Sequence, residues 1–272
     1  MDLAFITPTS YLEKYASQGD IFLALAHLVD DEGQNEYAQF HKRQALAGRR
    51  VILDNGLFEG AQVSTDSLIQ RALAINPTVV CAPDVLFDSA GTIKEFKQFI
   101  RAKLEAGLVC EVMGIPQADN PTDWWECYRH FDLSADCDLI GLSILSIPKS
   151  FGSLVGGGES ITTARMHVIQ QLYALTSLLG RRPTPCHMLG LGDSYEDIQL
   201  ANRILPSVVS NDTSSTFIHG MHGVRYRGDG TWEGGKIREK VDFNQPYDEN
   251  LDHEAVQYNI NIAKEVGHGT RR

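Results

Sequence analysis

The 272-residue chain has no Cys-x-x-Cys pair, no long apolar run and no excess of basic charge. Each absence excludes something. Its five cysteines, Cys81, Cys110, Cys127, Cys137 and Cys186, are odd in number and scattered, which argues against a disulfide framework and a structural zinc site. They read as small buried hydrophobes. A membrane-spanning helix needs about 18 apolar residues in succession, and no run approaches that. The segment Met1-Asp2-Leu3-Ala4-Phe5 lacks a positive region, so no signal peptide is read there and a cytoplasmic setting is expected. The formal net charge of −11 is the reverse of the broad basic footprint of a nucleic-acid binder. A local patch remains: Arg225, Arg227, Lys236, Arg238 and Lys240 share a stretch with only Asp229, Glu233 and Glu239 as acids. It suits a surface for a nucleic-acid backbone and a solvated loop equally. A Gly-x-Gly-x-x-Gly turn is also missing after the first strand, which disfavours a doubly wound open sheet.

What is present is a regular beat. Apolar residues make up 43% of the chain, enough for a sizeable core. Strands are expected near Leu3–Thr7, Ile21–His27, Val51–Leu53, Val79–Ala82, Val109–Ile115, Asp138–Ser143, Cys186–Gly190 and Ser207–Ser210. Helical spacing falls between them, as in Thr65–Ile75, Thr92–Ala106 and Thr162–Leu179. Eightfold strand–helix alternation predicts an α/β fold, a single (β/α)8 TIM barrel over the whole chain, with the barrel core at about 1–212. Pro8 and Gly19 bracket a small first helix. The connection from Leu145 to Ser160, with Gly156-Gly157-Gly158, is expected to be a mobile Gly-rich loop over the barrel. A polar C-terminal extension, about 213–272, ends in a closing helix at Glu254–Val266.

A barrel gathers the residues just beyond its strand ends into one pocket. Here that gives Asp54, Asp84 and Asp212, the amide of Gln117, the ring of Phe58 and several glycines. Neighbouring carboxylates raise one another's pKa, which suits proton transfer near neutral pH. A carboxylate can also attack an anomeric carbon, and acid, amide and aromatic groups can read and stack a nucleobase. Other roles fit each residue singly. Asp54 before Asn55-Gly56 suits a turn, and Asp84 and Asp212 suit helix caps. Phe58 suits the core, Gln117 an exposed loop, and His27 and His187 satisfied core or loop positions. The glycine triplet suits a phosphate cradle only weakly, having no Lys-Ser/Thr after it.

Taken in order, these segments resemble the tRNA-guanine transglycosylase superfamily over roughly residues 50–220. Asp54-Asn55-Gly56-Leu57-Phe58-Glu59 is similar to its Asp-Ser-Gly-Gly-aromatic-Gln motif, Gly114-Ile115-Pro116-Gln117 to its Gly-Ile-Val-Gln, and Ile140-Gly141-Leu142 to its Gly-Gly-Leu. Ala82-Pro83-Asp84 is similar to its base-reading Asp segment, and Met188-Leu189-Gly190-Leu191-Gly192 to its Leu-Met-Gly-Val-Gly. The resemblance implies that Asp212 is the nucleophile and Asp54 the general acid/base. It implies that Phe58, Asp84, Gln117, Gly141, Leu142 and Gly192 bind the base, with no metal and no organic cofactor. Two features depart from the tRNA-acting enzymes. Residues 213–272 contain no cysteine, so their zinc subdomain is missing, and Thr213-Ser214-Ser215-Thr216-Phe217-Ile218 replaces their Pro-Thr-Arg-x-Gly-Arg stretch.

The chain is therefore most similar to the zinc-free phage and bacterial DNA-modifying branch. The expected function is exchange of guanine in DNA for a 7-deazaguanine of the preQ0 type, through a covalent Asp212–deoxyribose intermediate. The expected partners are DNA, with Arg225, Arg227, Lys236, Arg238 and Lys240 on its backbone, the free base, and a helper protein that opens the duplex. Three alternatives stand: the same exchange on tRNA, an unrelated barrel enzyme acting on a small phosphorylated metabolite, and a catalytically silent binding module.

Overall fold

Alternation along short strands sorts side chains between two apolar environments. In Val51-Ile52-Leu53-Asp54, Val51 and Leu53 join the layer beneath the helices, while Ile52 joins Ala4, Leu23, Val79 and Met113 inside the ring. The computed structural model describes residues 1–155, 160–180, 182–227 and 231–269. It contains eight such strands: β1 (Asp2–Phe5), β2 (Phe22–Leu25), β3 (Val51–Asp54), β4 (Val79–Cys81), β5 (Glu111–Gly114), β6 (Leu139–Ser143), β7 (Cys186–Leu189) and β8 (Val208–Thr213). The pairings are parallel and run β1-β8-β7-β6-β5-β4-β3-β2. Between β1 and β2, the N–H groups of Asp20 and Ile21 donate to the Leu3 carbonyl at 2.8 and 3.3 Å, and the Asp20 carboxylate accepts the Leu3 N–H at 3.1 Å. Those bonds close a (β/α)8 barrel.

The outer layer comprises α1 (Glu36–Leu46), α2 (Thr65–Ile75), α3 (Ser89–Glu105), α4 (Pro121–Asp132), α5 (Ser146–Phe151), α6 (Ile161–Leu179), α7 (Glu196–Ile204), α8 (Ser215–Met221) and α9 (His253–Gly267). Asn35, Ser64, Asp88, Asn120 and Ser160 cap α1, α2, α3, α4 and α6 with their side-chain oxygens, satisfying N–H groups that a helix start leaves free. The small first helix is realised as two 3-10 turns, Thr9–Tyr11 and Ala16–Gln18. The stretch expected as a loop from Leu145 begins instead with α5, because Phe151 is buried and the hydroxyl of Ser150 donates to the Ala118 carbonyl at 2.8 Å. The glycine triplet at 156–158 lies outside the described residues. The C-terminal extension is less polar inside than its composition implies: Phe217, Tyr226, Trp232, Val256 and Ile260 form a second core with Leu3, Tyr11 and Tyr15.

One irregularity sets the site. β7 and β8 pair as Cys186 with Val208, then His187 with Ser210, so Val209 is the extra residue of a bulge. Strict alternation from the outward Val208 would turn Ser210 and Asp212 away from the barrel axis. The bulge reverses that parity. Ser210 meets His187 inside the ring, and Asp212 pairs with the interior residue Ala4.

Candidate active site

The C-terminal ends of the strands open into a cavity of about 510 Å³. Asp54, Asp84, Gln117 and Asp212 all line it, each from a different strand or the loop after it, and Phe58 stands at its wall with 42% of its surface exposed. Ser143, Gly190 and Ser214 add polar groups, and Leu23, Leu25 and Ile115 rise from the barrel interior as an apolar floor. A concave, mostly apolar cavity with a few convergent polar groups suits a small planar ligand.

Asp212 is held from one side. Its Oδ1 accepts the Gly190 N–H at 2.9 Å and faces His187 Nε2 at 3.1 Å. A carboxylate oxygen only accepts, so Nε2 donates, and Nδ1 pairs with the Ser210 hydroxyl at 2.8 Å. His187 is fully buried, and Asp212 keeps 5% exposure. Among the described residues Asp212 Oδ2 has no hydrogen bond, so one oxygen is anchored and the other is left for the cavity. Behind this pair the buried Arg165 donates to the carbonyls of Gly190 and Leu189 at 2.9 and 3.1 Å. It thereby fixes the peptide segment whose N–H holds Asp212.

Asp54 ends β3, and its Oδ2 accepts the Gly56 N–H at 3.2 Å. Burial pushes its carboxyl up to about 6, and the charge of Asp212 adds to the rise. Asp84 is 2% exposed. Its two oxygens take amide donors, Asn55 Nδ2 at 2.7 Å and Gln117 Nε2. Those donors favour the charged form, yet burial outweighs them and brings the group up to about 7. Asn55 also donates to the Ala82 carbonyl at 3.0 Å and accepts the Leu57 N–H at 2.9 Å, tying the β3 loop to the β4 loop. Asp54, Asp84 and Gln117 thus follow one another around the rim at the ends of β3, β4 and β5, and Asp212 faces the same cavity from β8.

The structure does not bring every residue of the sequence reading to this cavity. Gly141 faces the barrel interior below it, where a Cβ would meet Leu189 and Ile115 within 3 Å. Leu142 points into the outer layer, and the backbone of both belongs to the β6–β7 ladder. Gly192 sits behind the wall. A Cβ there would overlap Asp197, and its carbonyl accepts Lys236 Nζ. Gly190 and Leu191 form the wall instead. The basic stretch divides. Lys236, Arg238 and Lys240 lie on a strap, residues 236–243, that borders the cavity, and Lys240 Nζ stands 5.0 Å from the Phe58 ring centre. Arg225 and Arg227 lie away from it: the bridge between Tyr226 and Trp232 turns the chain, and Arg225 packs over Tyr258 of α9.

His187 takes the satisfied core position expected of it, with Asp212 as one partner, and Arg165 and Glu59 are candidates that the sequence did not single out. His187 carries no signal in a strand until the bulge pairs it with Asp212. Arg165 reads as one polar residue of a helix. Glu59 lies within the Asp54–Glu59 motif, and that motif was its available signal. Among the described residues no group of three or more His, Cys, Asp or Glu side chains is arranged to hold a metal ion. Compared with known proteins, the chain matches no protein-family model and no curated sequence.

Proposed function

We propose that the protein is a base-exchange transglycosylase, which replaces guanine in DNA with a 7-deazaguanine. The observation that carries this reading is the convergence, in one cavity, of the half-anchored carboxylate Asp212, the protonatable carboxyl Asp54 and the acid–amide edge of Asp84 and Gln117. A nucleophile, a proton donor and a hydrogen-bonding edge lining one cavity suit a nucleoside held by its base with its anomeric carbon at Asp212.

On this reading, Oδ2 of Asp212 attacks C1′ as the C1′–N9 bond breaks. The bonding pair leaves with guanine, which takes a proton from Asp54. The incoming base then occupies the same slot and gives its N9 proton back. Its nitrogen attacks C1′, and Asp212 is released as carboxylate. Asp84 at about 7 adapts to either base edge, accepting N–H groups when ionised and donating when protonated. Base and C1′ are hidden in a duplex, so the target nucleotide must be extruded. Phe58 offers its ring at the cavity mouth, and Arg238 and Lys240 offer charge to the flanking phosphates. DNA rather than tRNA is supported by the sequence departures: no cysteine after Asp212, and Thr213–Ile218 where the tRNA-binding arginines stand in the family.

The test incubates the protein with labelled 7-cyano-7-deazaguanine and either duplex DNA, single-stranded DNA or tRNA, with Asp212→Ala in parallel. The expected result is label in DNA, none in tRNA and none with Asp212→Ala. Label in tRNA alone would reverse the choice of polymer. Label retained by Asp212→Ala would remove the nucleophile.

A further inference from the structure

We propose that the hydroxyl of Ser143 is a specificity-determining donor of this cavity, reading a ring carbonyl of the base; the role rests on the base-exchange reading above. Side chains of β6 alternate between the barrel interior and the outer layer. Leu139 joins the interior cluster and Ile140 and Leu142 join the outer one, while a Cβ at Gly141 would meet the interior side chains of Leu189, Ile115 and Met113. Ser143 is therefore the next interior position above Gly141, at the end of the strand, and it lines the cavity over that apolar floor.

Its oxygen is already committed. The chain turns from β6 straight into α5, and Ser143 Oγ accepts the N–H groups of Leu145 at 3.0 Å and Ser146 at 3.2 Å. A hydroxyl has two lone pairs and one proton. Both lone pairs are taken here, and among the described residues nothing accepts the proton. An ordinary serine rotates to suit a donor or an acceptor. This one can receive no further donor without releasing the start of α5. Toward a ligand it is a donor only.

Its place on the rim agrees. β5 and β6 pair Gly114 with Ile140, and Gln117 and Ser143 each lie three residues beyond those partners. Hydrogen bonds tie the two together: the N–H of Ala118, next to Gln117, donates to Ser146 Oγ at 3.2 Å, and the N–H of Ser146 is one of the two that Ser143 accepts. Gln117 in turn donates to Asp84 Oδ2. Carboxyl, amide and hydroxyl donor thus follow one another at the ends of β4, β5 and β6. A ring with an N–H beside a carbonyl, as in guanine and the 7-deazaguanines, offers a donor to Asp84 and an acceptor to Ser143. An amino group in place of the carbonyl would set its N–H against the Ser143 O–H, with no lone pair to receive it. Ser143 so favours carbonyl-bearing bases over aminopurines.

Equilibrium dialysis of the full chain with labelled guanine or labelled 2-aminopurine tests this. The second base lacks the carbonyl oxygen and the ring N–H beside it. The wild type is expected to favour guanine by about 100-fold, since both hydrogen bonds are lost with 2-aminopurine, and Ser143→Ala to narrow that ratio to about 10-fold. Ser143→Cys, whose thiol fills the same place but donates weakly, should narrow the ratio as well, and it carries the test if Ser143→Ala does not fold. Equal weakening of both bases, with the ratio unmoved, would overturn the donor and leave Ser143 as a cap of α5. Binding of neither base by the wild type would overturn the donor together with the base slot. A ratio that narrows as expected, with no exchange into any polymer, would keep the Ser143 donor and remove the base-exchange reading.

Discussion

Replacing Asp54 by Asn is expected to make the folded protein more stable at neutral pH while abolishing exchange. Asp54 is 9% exposed, and its carboxyl is brought from 3.8 to about 6, mainly by burial. That rise is about two units, and each unit corresponds to about 1.4 kcal/mol, so ionised Asp54 costs the folded state about 3 kcal/mol. The folded value lies above the unfolded one, so the folded protein binds this proton more tightly. The associated stability is full below about pH 4 and is lost as the pH rises through about 6. An Asn side chain keeps an oxygen for the Gly56 N–H and carries no charge. At about pH 8 the variant should exceed the wild type by up to about 3 kcal/mol, or about 6–10 °C in Tm, and at about pH 4 the two should coincide. Thermal and urea unfolding at the two pH values measure the difference. A variant no more stable at the higher pH, or equally favoured at both, would refute the assignment of a buried, strained charge to Asp54.

Further outcomes rest on the same geometry. His187→Phe removes a charge-assisted donor from Asp212 Oδ1, worth about 1.5–3 kcal/mol, so single-turnover release of guanine should slow by about 10–100-fold with folding retained. Arg165→Met leaves Asp197 buried beside a vacated charge and should cost about 3–5 kcal/mol in a denaturant titration, with part of the loss recovered by adding Asp197→Asn. Arg238→Ala with Lys240→Ala should reduce the salt dependence of DNA binding by about two counterions. Arg225→Ala with Arg227→Ala should leave that slope unchanged, because those side chains lie away from the cavity.

The barrel was legible because its strands are local runs with clear apolar character, and all eight fall within a few residues of their expected positions. Asp54, Asp84, Gln117 and Asp212 were legible for a related reason: parallel strands of a barrel all end on one face, so position in sequence becomes position in space. What escaped depends on pairing between distant segments. The bulge at Val209 aims Asp212 inward and gives His187 its partner, and β8 runs to Thr213 rather than stopping at Ser210 because β1 pairs with those residues. The basic stretch looked continuous, but the Tyr226–Trp232 bridge reverses the chain inside it and sends its two halves to different surfaces. Gly141 and Gly192 looked like base-binding positions, whereas the packing of Ile115, Leu189 and Asp197 against them explains the missing side chains. Helix α5 was hidden in a Pro- and Gly-containing connection. Its burial is tertiary: Ser150 donates to the Ala118 carbonyl, and Phe151 packs on Trp124 and Trp125 of α4.

Covalent capture of the sugar by Asp212 is the proposed step most directly open to measurement. Mixing the protein with a guanine-containing DNA oligonucleotide, without a replacement base, and quenching in denaturant should trap the intermediate. Intact-protein mass spectrometry is expected to show a species heavier by the oligonucleotide less guanine, with the added mass on the peptide containing Asp212 and no such species in Asp212→Asn. Absence of the adduct in wild-type protein that exchanges base, or an adduct on any other residue, would contradict the account.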